Sequence, residues 1–270
     1  MNSSDGQDTP DDKTIAPVLE TVALTKHYGG VHALTDAHFR VMPKEHVAIV
    51  GDNGAGKSTL VRNITGVEQP TSGKILLDTH EVVFKSPSEA REYGIETVYQ
   101  NLALADDLDV SSNIFLGREN VKFKLGPFSW LDKPSMRRRS ETLLKETGIN
   151  IPELNTVLRN MSGGQRQCVA ICRAAGWGSK LIIMDEPTAA LGIRETKRVE
   201  EIILGLKERG IPVIIISHNL KQVFNLVDRI WVFRQGRIVG SRVVAQTDPN
   251  EIVAMITGVS RGEDGVNNHV

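Results

Sequence analysis

Residues 46–59 read HVAIVGDNGAGKST, and the reading of this stretch decides the fold. A compact apolar run, 46–51, closes on a glycine loop, and KSTLVRNITG (57–66) then repeats its apolar residues at helical spacing. Strand, glycine loop and helix in that order are the context that a phosphate-binding loop requires. Gly51, Gly56, Lys57 and Ser58 satisfy G-x-x-x-x-G-K-[ST], with Asp52, Asn53, Gly54, Ala55 and Thr59 completing the turn. The glycines let the backbone curl until several N–H groups face one anion. Lys57 supplies the cation for the β- and γ-phosphates, the Ser58 hydroxyl suits Mg²⁺, and the helix start adds partial positive charge. The expectation is a bound nucleoside triphosphate.

Outward from this loop the pattern predicts an α/β chain. PVLETVAL (17–24) and AHFRVM (37–42) read as strands of an N-terminal antiparallel part, and KILLD (74–78) and IETVYQ (95–100) add more. From about 101 to 175 strand signals fade and helical ones such as SMRRRSETLLKETG (135–148) take over, which predicts an inserted helical subdomain. LIIMDE (181–186) and PVIIISH (212–218) are continuous apolar runs, as in parallel strands buried on both faces. Between them, IRETKRVEEIILGLKERG (193–210) predicts a helix with Ile193, Val199, Ile202, Ile203 and Leu206 inward. RIWVFRQGRIVGS (229–241) predicts a hairpin turning at Gln235-Gly236. One domain is expected over 17–264, between a disordered tail, 1–16, and a flexible end, 265–270.

Composition narrows the function. The chain has 270 residues, 40% hydrophobic, with net charge −1, so its charge balance does not call for a nucleic acid partner. Between Gly117 and Lys145 eight basic residues face three acidic ones, which reads as a solvated helix face and loop. Cys168 and Cys172 are too few for a disulfide framework, and their spacing of four predicts packing on one helix face. No apolar run approaches the ~20 residues that span a bilayer, and the N-terminus lacks the apolar core of a signal peptide. Work at a membrane would run through a partner.

A second glycine-rich site stands in NMSGGQRQ (160–167), with no lysine in it. Asp185-Glu186 closes one buried run and His218 another, placing polar groups at strand ends, where α/β folds do their chemistry. A strand-end aspartate can hold Mg²⁺, and a neighbouring glutamate can deprotonate water.

Taken together, GDNGAGKST, VYQ (98–100), MSGGQ (161–165), LIIMDEP (181–187) and IISH (215–218) resemble, in this order, the motifs of ATP-binding cassette (ABC) transporter subunits, over roughly residues 17–260. The resemblance implies a phosphate-loop NTPase core of ABC type with a mainly parallel sheet. It makes Tyr28 the platform for adenine, Gln100 the sensor of Mg²⁺ and attacking water, and Asp185 a magnesium residue. Glu186 becomes the general base and His218 the contact to the γ-phosphate. Ser162, Gly163, Gly164 and Gln165 become a signature that closes on ATP held by another copy. Two head-to-tail copies would then sandwich two ATP molecules. The second loop needs no lysine, because Lys57 of the opposite copy already holds the phosphate.

One position departs from the family. Gly192 stands where an aspartate usually reaches across the dimer, which puts communication between the two sites in doubt. GDNGAGKST, SHN and IVAMITG (252–258) resemble the bacterial ribose, xylose and fructose importer group. That subgroup implies transmembrane permease subunits, a solute-binding protein acting indirectly, and a peripheral place on the cytoplasmic face of the inner membrane. A soluble ABC ATPase would show a long coiled coil or a second cassette, and a GTPase its NKxD. None of these appears in the sequence.

Overall fold

The computed structural model describes residues 15–125, 128–151, 153–177 and 179–259; the expected tail and C-terminal end lie outside these, save for residues 15 and 16. The chain opens with β1 (Leu19–Tyr28) and β2 (Val31–Val41), then β3 (His46–Gly51) and α1 (Lys57–Ile64). Next come β4 (Ser72–Leu77), β5 (His80–Val82), α2 (Pro87–Glu92), β6 (Ile95–Val98) and α3 (Val110–Ile114). A small hairpin, β7 (Val121–Leu125) and β8 (Phe128–Leu131), precedes α4 (Lys133–Glu146) and α5 (Gly163–Ala175). The chain continues through β9 (Leu181–Asp185), α6 (Ile193–Glu208), β10 (Val213–Ile216) and α7 (Leu220–Leu226). It closes with β11 (Arg229–Arg234), β12 (Arg237–Val243) and α8 (Pro249–Thr257).

Apart from the small β7–β8 hairpin, two sheets hold the strands of the described residues. One is antiparallel, ordered β2-β1-β4-β5. The other runs β12-β11-β3-β10-β9-β6, parallel except for the β11–β12 hairpin. Alternation along its strands builds a core on each face. Val47, Ile49, Ile183, Ile214 and Ile216 pack with α1 and the antiparallel sheet. Ala48, Val50, Ile182, Met184 and Ile215 pack with α5, α6 and α8. Burial of each large apolar side chain contributes about 1.5–3 kcal/mol, so the central strands form the most stable part of the molecule.

Local chemistry explains the ends. Ser86, Asp109, Asp132, Asn219 and Asp248 cap their helices with side-chain acceptors, and Pro follows Ser86, Asp132 and Asp248 within two residues. Gln235 and Gly236 turn β11 into β12, both at positive φ (49° and 74°), as a type I′ connection requires. Cys168 and Cys172 are buried on α5, and burial pushes the Cys172 thiol up to about 12.

Two expectations need correction. Val199, Ile202, Ile203 and Leu206 face inward from α6, but Ile193 is 82% exposed. It is the first residue of the helix and projects before the packed stripe begins. The stretch 101–175 is not helical throughout, since it carries the β7–β8 hairpin with Phe123 set against Trp130.

Candidate functional site

The phosphate loop leaves the C-terminal end of β3 between β10 and β11. Two of its glycines are fixed by close packing. Gly51 has φ 151°, and a Cβ there would stand 2.2 Å from the Phe233 carbonyl oxygen. Gly56 caps α1 at φ 102°, where a Cβ would meet the Ala33 oxygen at 2.8 Å. Any side chain would displace the loop at either position. Lys57 Nζ donates to the carbonyl oxygens of Gly51 at 2.6 Å and Asp52 at 2.8 Å, so the cation braces the loop from within. Burial holds the Lys57 ammonium below its ordinary range, against the opposing pull of Glu186, Asp52 and Asp185.

Around the loop lies a cleft of about 1020 Å³. Gly51 through Thr59 line it, together with Gln100, Asp185, Glu186 and His218. Four segments distant in sequence thus converge, because β3, β9, β10 and β6 are parallel neighbours ending on one side. Burial, and then the charge of Glu186, hold the Asp185 carboxyl above its ordinary range, with Lys57 opposing. An added cation beside Asp185 would relieve that penalty.

Glu186 sits at φ 50°, rare for a residue with a side chain, and its N–H donates to Ile216 O at 2.9 Å. Its Oε1 accepts from the His218 backbone N–H at 3.1 Å and lies 2.7 Å from His218 Nδ1. The two side chains are therefore joined across the ends of β9 and β10.

Some contributors escaped the sequence reading. His32 on β2 and the Gln235-Gly236 turn also line the cleft. The Gly236 N–H donates to Ala55 O at 3.0 Å and its carbonyl accepts from Thr35 N–H at 2.7 Å, so this turn clamps the phosphate loop to β2. The only sequence signal was the turn itself.

Tyr28 is not among the lining residues. It ends β1, 42% exposed, and its hydroxyl donates to Glu68, with Lys26 Nζ 5.3 Å from the ring centroid. Ser162, Gly164 and Gln165 also lie elsewhere, on a second cleft of about 600 Å³ beside α6. Ser162 and Gln165 close a capping box: Gln165 N–H donates to Ser162 Oγ at 3.2 Å, and Ser162 N–H to Gln165 Oε1 at 2.9 Å. Gly163 begins α5, so its N–H has no partner within the helix.

A third cleft, about 440 Å³, opens beside Gln100 between α2, β6 and α5. Glu96 lies buried in it, 2.5 Å from Arg118. Burial pushes Glu96 up and Arg118 counters it. Arg173 donates at 2.9 Å to the carbonyl oxygens of Leu102 and Ala103, tying α5 to the segment after Gln100. No helix among the described residues is long and apolar enough to cross a membrane.

The pattern of the ABC transporter family matches residues 34–189. Over 248 residues the chain is 45% identical to the fructose import ATP-binding protein FrcA of Rhizobium meliloti, covering 90% of this chain and 94% of that one. It is 41% identical over 249 residues to the xylose/arabinose import ATP-binding protein XylG of Sulfolobus acidocaldarius, covering 92% and 97%. Among solved structures, cbiO1 of Clostridium perfringens, part of the ABC transporter complex cbiONQ, superposes with a TM-score of 0.73 at 28% identity, covering 90% and 95%. With the family pattern spanning more than half of its length and two relatives matched almost end to end, this chain belongs to the ABC transporter family.

Proposed function

We propose that this chain binds and hydrolyses ATP to energise an importer of a monosaccharide of the fructose, ribose or xylose kind. The observation that carries the chemistry is the convergence of Lys57, Asp185, Glu186 and His218 on one cleft. The sugar class rests on the names of the two relatives, one a fructose and one a xylose/arabinose import protein. The chain would work as a head-to-tail pair on permease subunits at the cytoplasmic face of the inner membrane, with a solute-binding protein delivering the sugar.

Each residue has a part in this reading. Lys57 and the loop N–H groups hold the triphosphate, and Tyr28 offers a ring face to the adenine. Ser58, Gln100 and Asp185 are hard oxygen donors on one cleft and suit Mg²⁺, which when bound would neutralise charge building on the phosphates. Among the described residues no three His, Cys, Asp or Glu side chains cluster as a metal cage, so the phosphates themselves would complete the coordination. Glu186 takes the proton from the attacking water, and His218, joined to it, turns to the γ-phosphate. Ser162 to Gln165 close on the nucleotide of the partner copy.

Tyr28→Ala should weaken ATP binding by about 1–3 kcal/mol, the usual scale of base–aromatic stacking. Titration of both proteins with ATP measures this, and equal affinities would return Tyr28 to the anchoring of β1 on Glu68.

The permease is assigned to the cleft beside Gln100. Glu96, Arg118 and Arg173 give it paired charge, and Leu116 and Trp177 give it apolar wall. Gln100 lines the nucleotide cleft, and the segment after it is held to α5 by Arg173. Gln100→Ala should therefore reduce permease-stimulated hydrolysis more than it reduces ATP affinity. In the assembled transporter, cross-links from residues 101–130 should reach the permease. Permease cross-links confined to 193–270, or co-purification with no multi-span protein, would count against this assignment.

A further inference from the structure

Gly164 and Gly192 share one neighbour, Glu195. A Cβ built on Gly164 would stand 2.5 Å from Glu195 Cγ and 2.7 Å from its Cβ; one built on Gly192 would stand 2.6 Å from Glu195 Oε2. A Cβ on Gly163 would meet only ordinary contact, 3.5 Å from Leu191 Cδ2. The first turn of α6 and the loop before it thus lie directly against the first turn of α5.

The two close contacts differ in kind. The carboxylate is the free end of a flexible side chain and could swing away from a methyl group at position 192. Cβ is tied to the α6 backbone and cannot leave position 164 unless the helix moves, whereas Cγ leaves only by rotation about χ1. Gly164 is also an ordinary helical residue of α5 and not one of the positive-φ glycines. Backbone freedom does not explain it, and glycine weakens a helix relative to alanine. The side chain of Glu195 does explain it, since it occupies the volume that any larger residue would need.

Glu195 lies one short loop beyond Glu186, on the helix that this loop leads into. We propose that Glu195 is a positioning residue. Wedged into the space left by Gly164, it holds the signature turn in fixed register with the loop that carries Glu186. The phosphate contact offered to one nucleotide and the base acting on the other then move as one body. This rests on the reading that residues 162–165 close on the partner's ATP. On this account the wedge acts by shape rather than charge, and it gives each chain a mechanical link between two sites.

The test uses the full chain carrying Glu195→Gly, Glu195→Gln, Gly164→Ala, or Gly164→Ala with Glu195→Gly. Thermal unfolding without nucleotide reads the packing, and kcat and KM for ATP read the positioning. Glu195→Gly should lower kcat by about tenfold, as a displaced but untouched catalytic group does. KM should stay within about twofold, because the phosphate loop is unaltered. The pair should recover most of the Tm that Gly164→Ala loses, the new methyl group occupying the space that Glu195 vacates, and Glu195→Gln should behave as the parent in both readings. A pair no more stable than Gly164→Ala would overturn the proposal, as the Glu195 side chain would then not be what fills the space beside Gly164. A Glu195→Gly chain that loses Tm but keeps the parent kcat would reduce Glu195 to a packing residue and equally overturn it. Should Gly164→Ala fail to fold, Glu195→Gly against Glu195→Gln still decides: unchanged kcat in the first sinks the idea. Failure of the ATPase reading would appear in the unmodified chain, as no hydrolysis, while the unfolding measurements would still report on the wedge.

Discussion

Lys57→Ala loses most of the affinity for ATP. Two effects add, because Nζ is both the fixed cation of the cleft and the donor that braces the loop through the Gly51 and Asp52 carbonyls. Its removal leaves the triphosphate without its main counter-charge and leaves two carbonyl groups without their donor. Loss of one partner from a partly buried charged contact costs about 3 kcal/mol, roughly a hundredfold in Kd. Calorimetric titration with ATP gives the number, and circular dichroism checks that the β3–α1 unit still folds. An unchanged Kd would remove the basis of the functional reading.

The second large effect concerns assembly. Glu186→Gln keeps the side-chain shape, and an amide oxygen can still accept from the His218 backbone N–H, but it cannot take a proton from water. ATP should bind and persist, and the variant should form a dimer in ATP that is absent in ADP. Adding Ser162→Arg should abolish this dimer. Arginine is too bulky for the close approach, and it removes the Oγ that accepts from Gln165 N–H, a cap worth about 1 kcal/mol. ATP binding to the single chain should survive, since residues 162–165 stand apart from the phosphate-loop cleft. Light scattering of both variants in ATP and in ADP reads the outcome. A Glu186→Gln chain that stays monomeric would leave pairing to the permease, and a double variant that still dimerises would refute the assigned role of the signature turn.

Much of this was legible in the sequence because the informative segments are locally determined. The phosphate loop carries its own geometry, β10 is apolar throughout and β9 is apolar up to its last residue, Asp185, and Gln235-Gly236 is a turn by backbone preference. What the sequence concealed depends on contacts between distant segments. Among the described residues the β7–β8 hairpin pairs with no third strand, and its pattern is too short to stand out from helical neighbours. Ile193 fits the apolar spacing of α6 but precedes the surface on which the helix packs. His32 and Gly236 reach the cleft only through strand order, which periodicity does not encode. The glycine pair of the signature read as an anion site alone. The shape of Glu195 against Gly164 emerges only when α5 and α6 are seen side by side.

The phosphate loop and the signature turn open on different clefts of the same chain. In the head-to-tail pair proposed above, each polypeptide would bring two unlike halves, and defects in the two halves would combine like alleles rather than like doses. Consider a mixed pair, one copy altered at Lys57 and the other at Ser162. One composite site would inherit both lesions and the other neither, so two inactive parents would yield a hybrid with a single intact site. Two lesions placed on the same copy spoil both sites of any pair that includes it, and an unaltered partner cannot rescue either. Which chain carries a lesion then matters as much as which residue, and a co-expressed mixture would reveal function that neither pure population possesses.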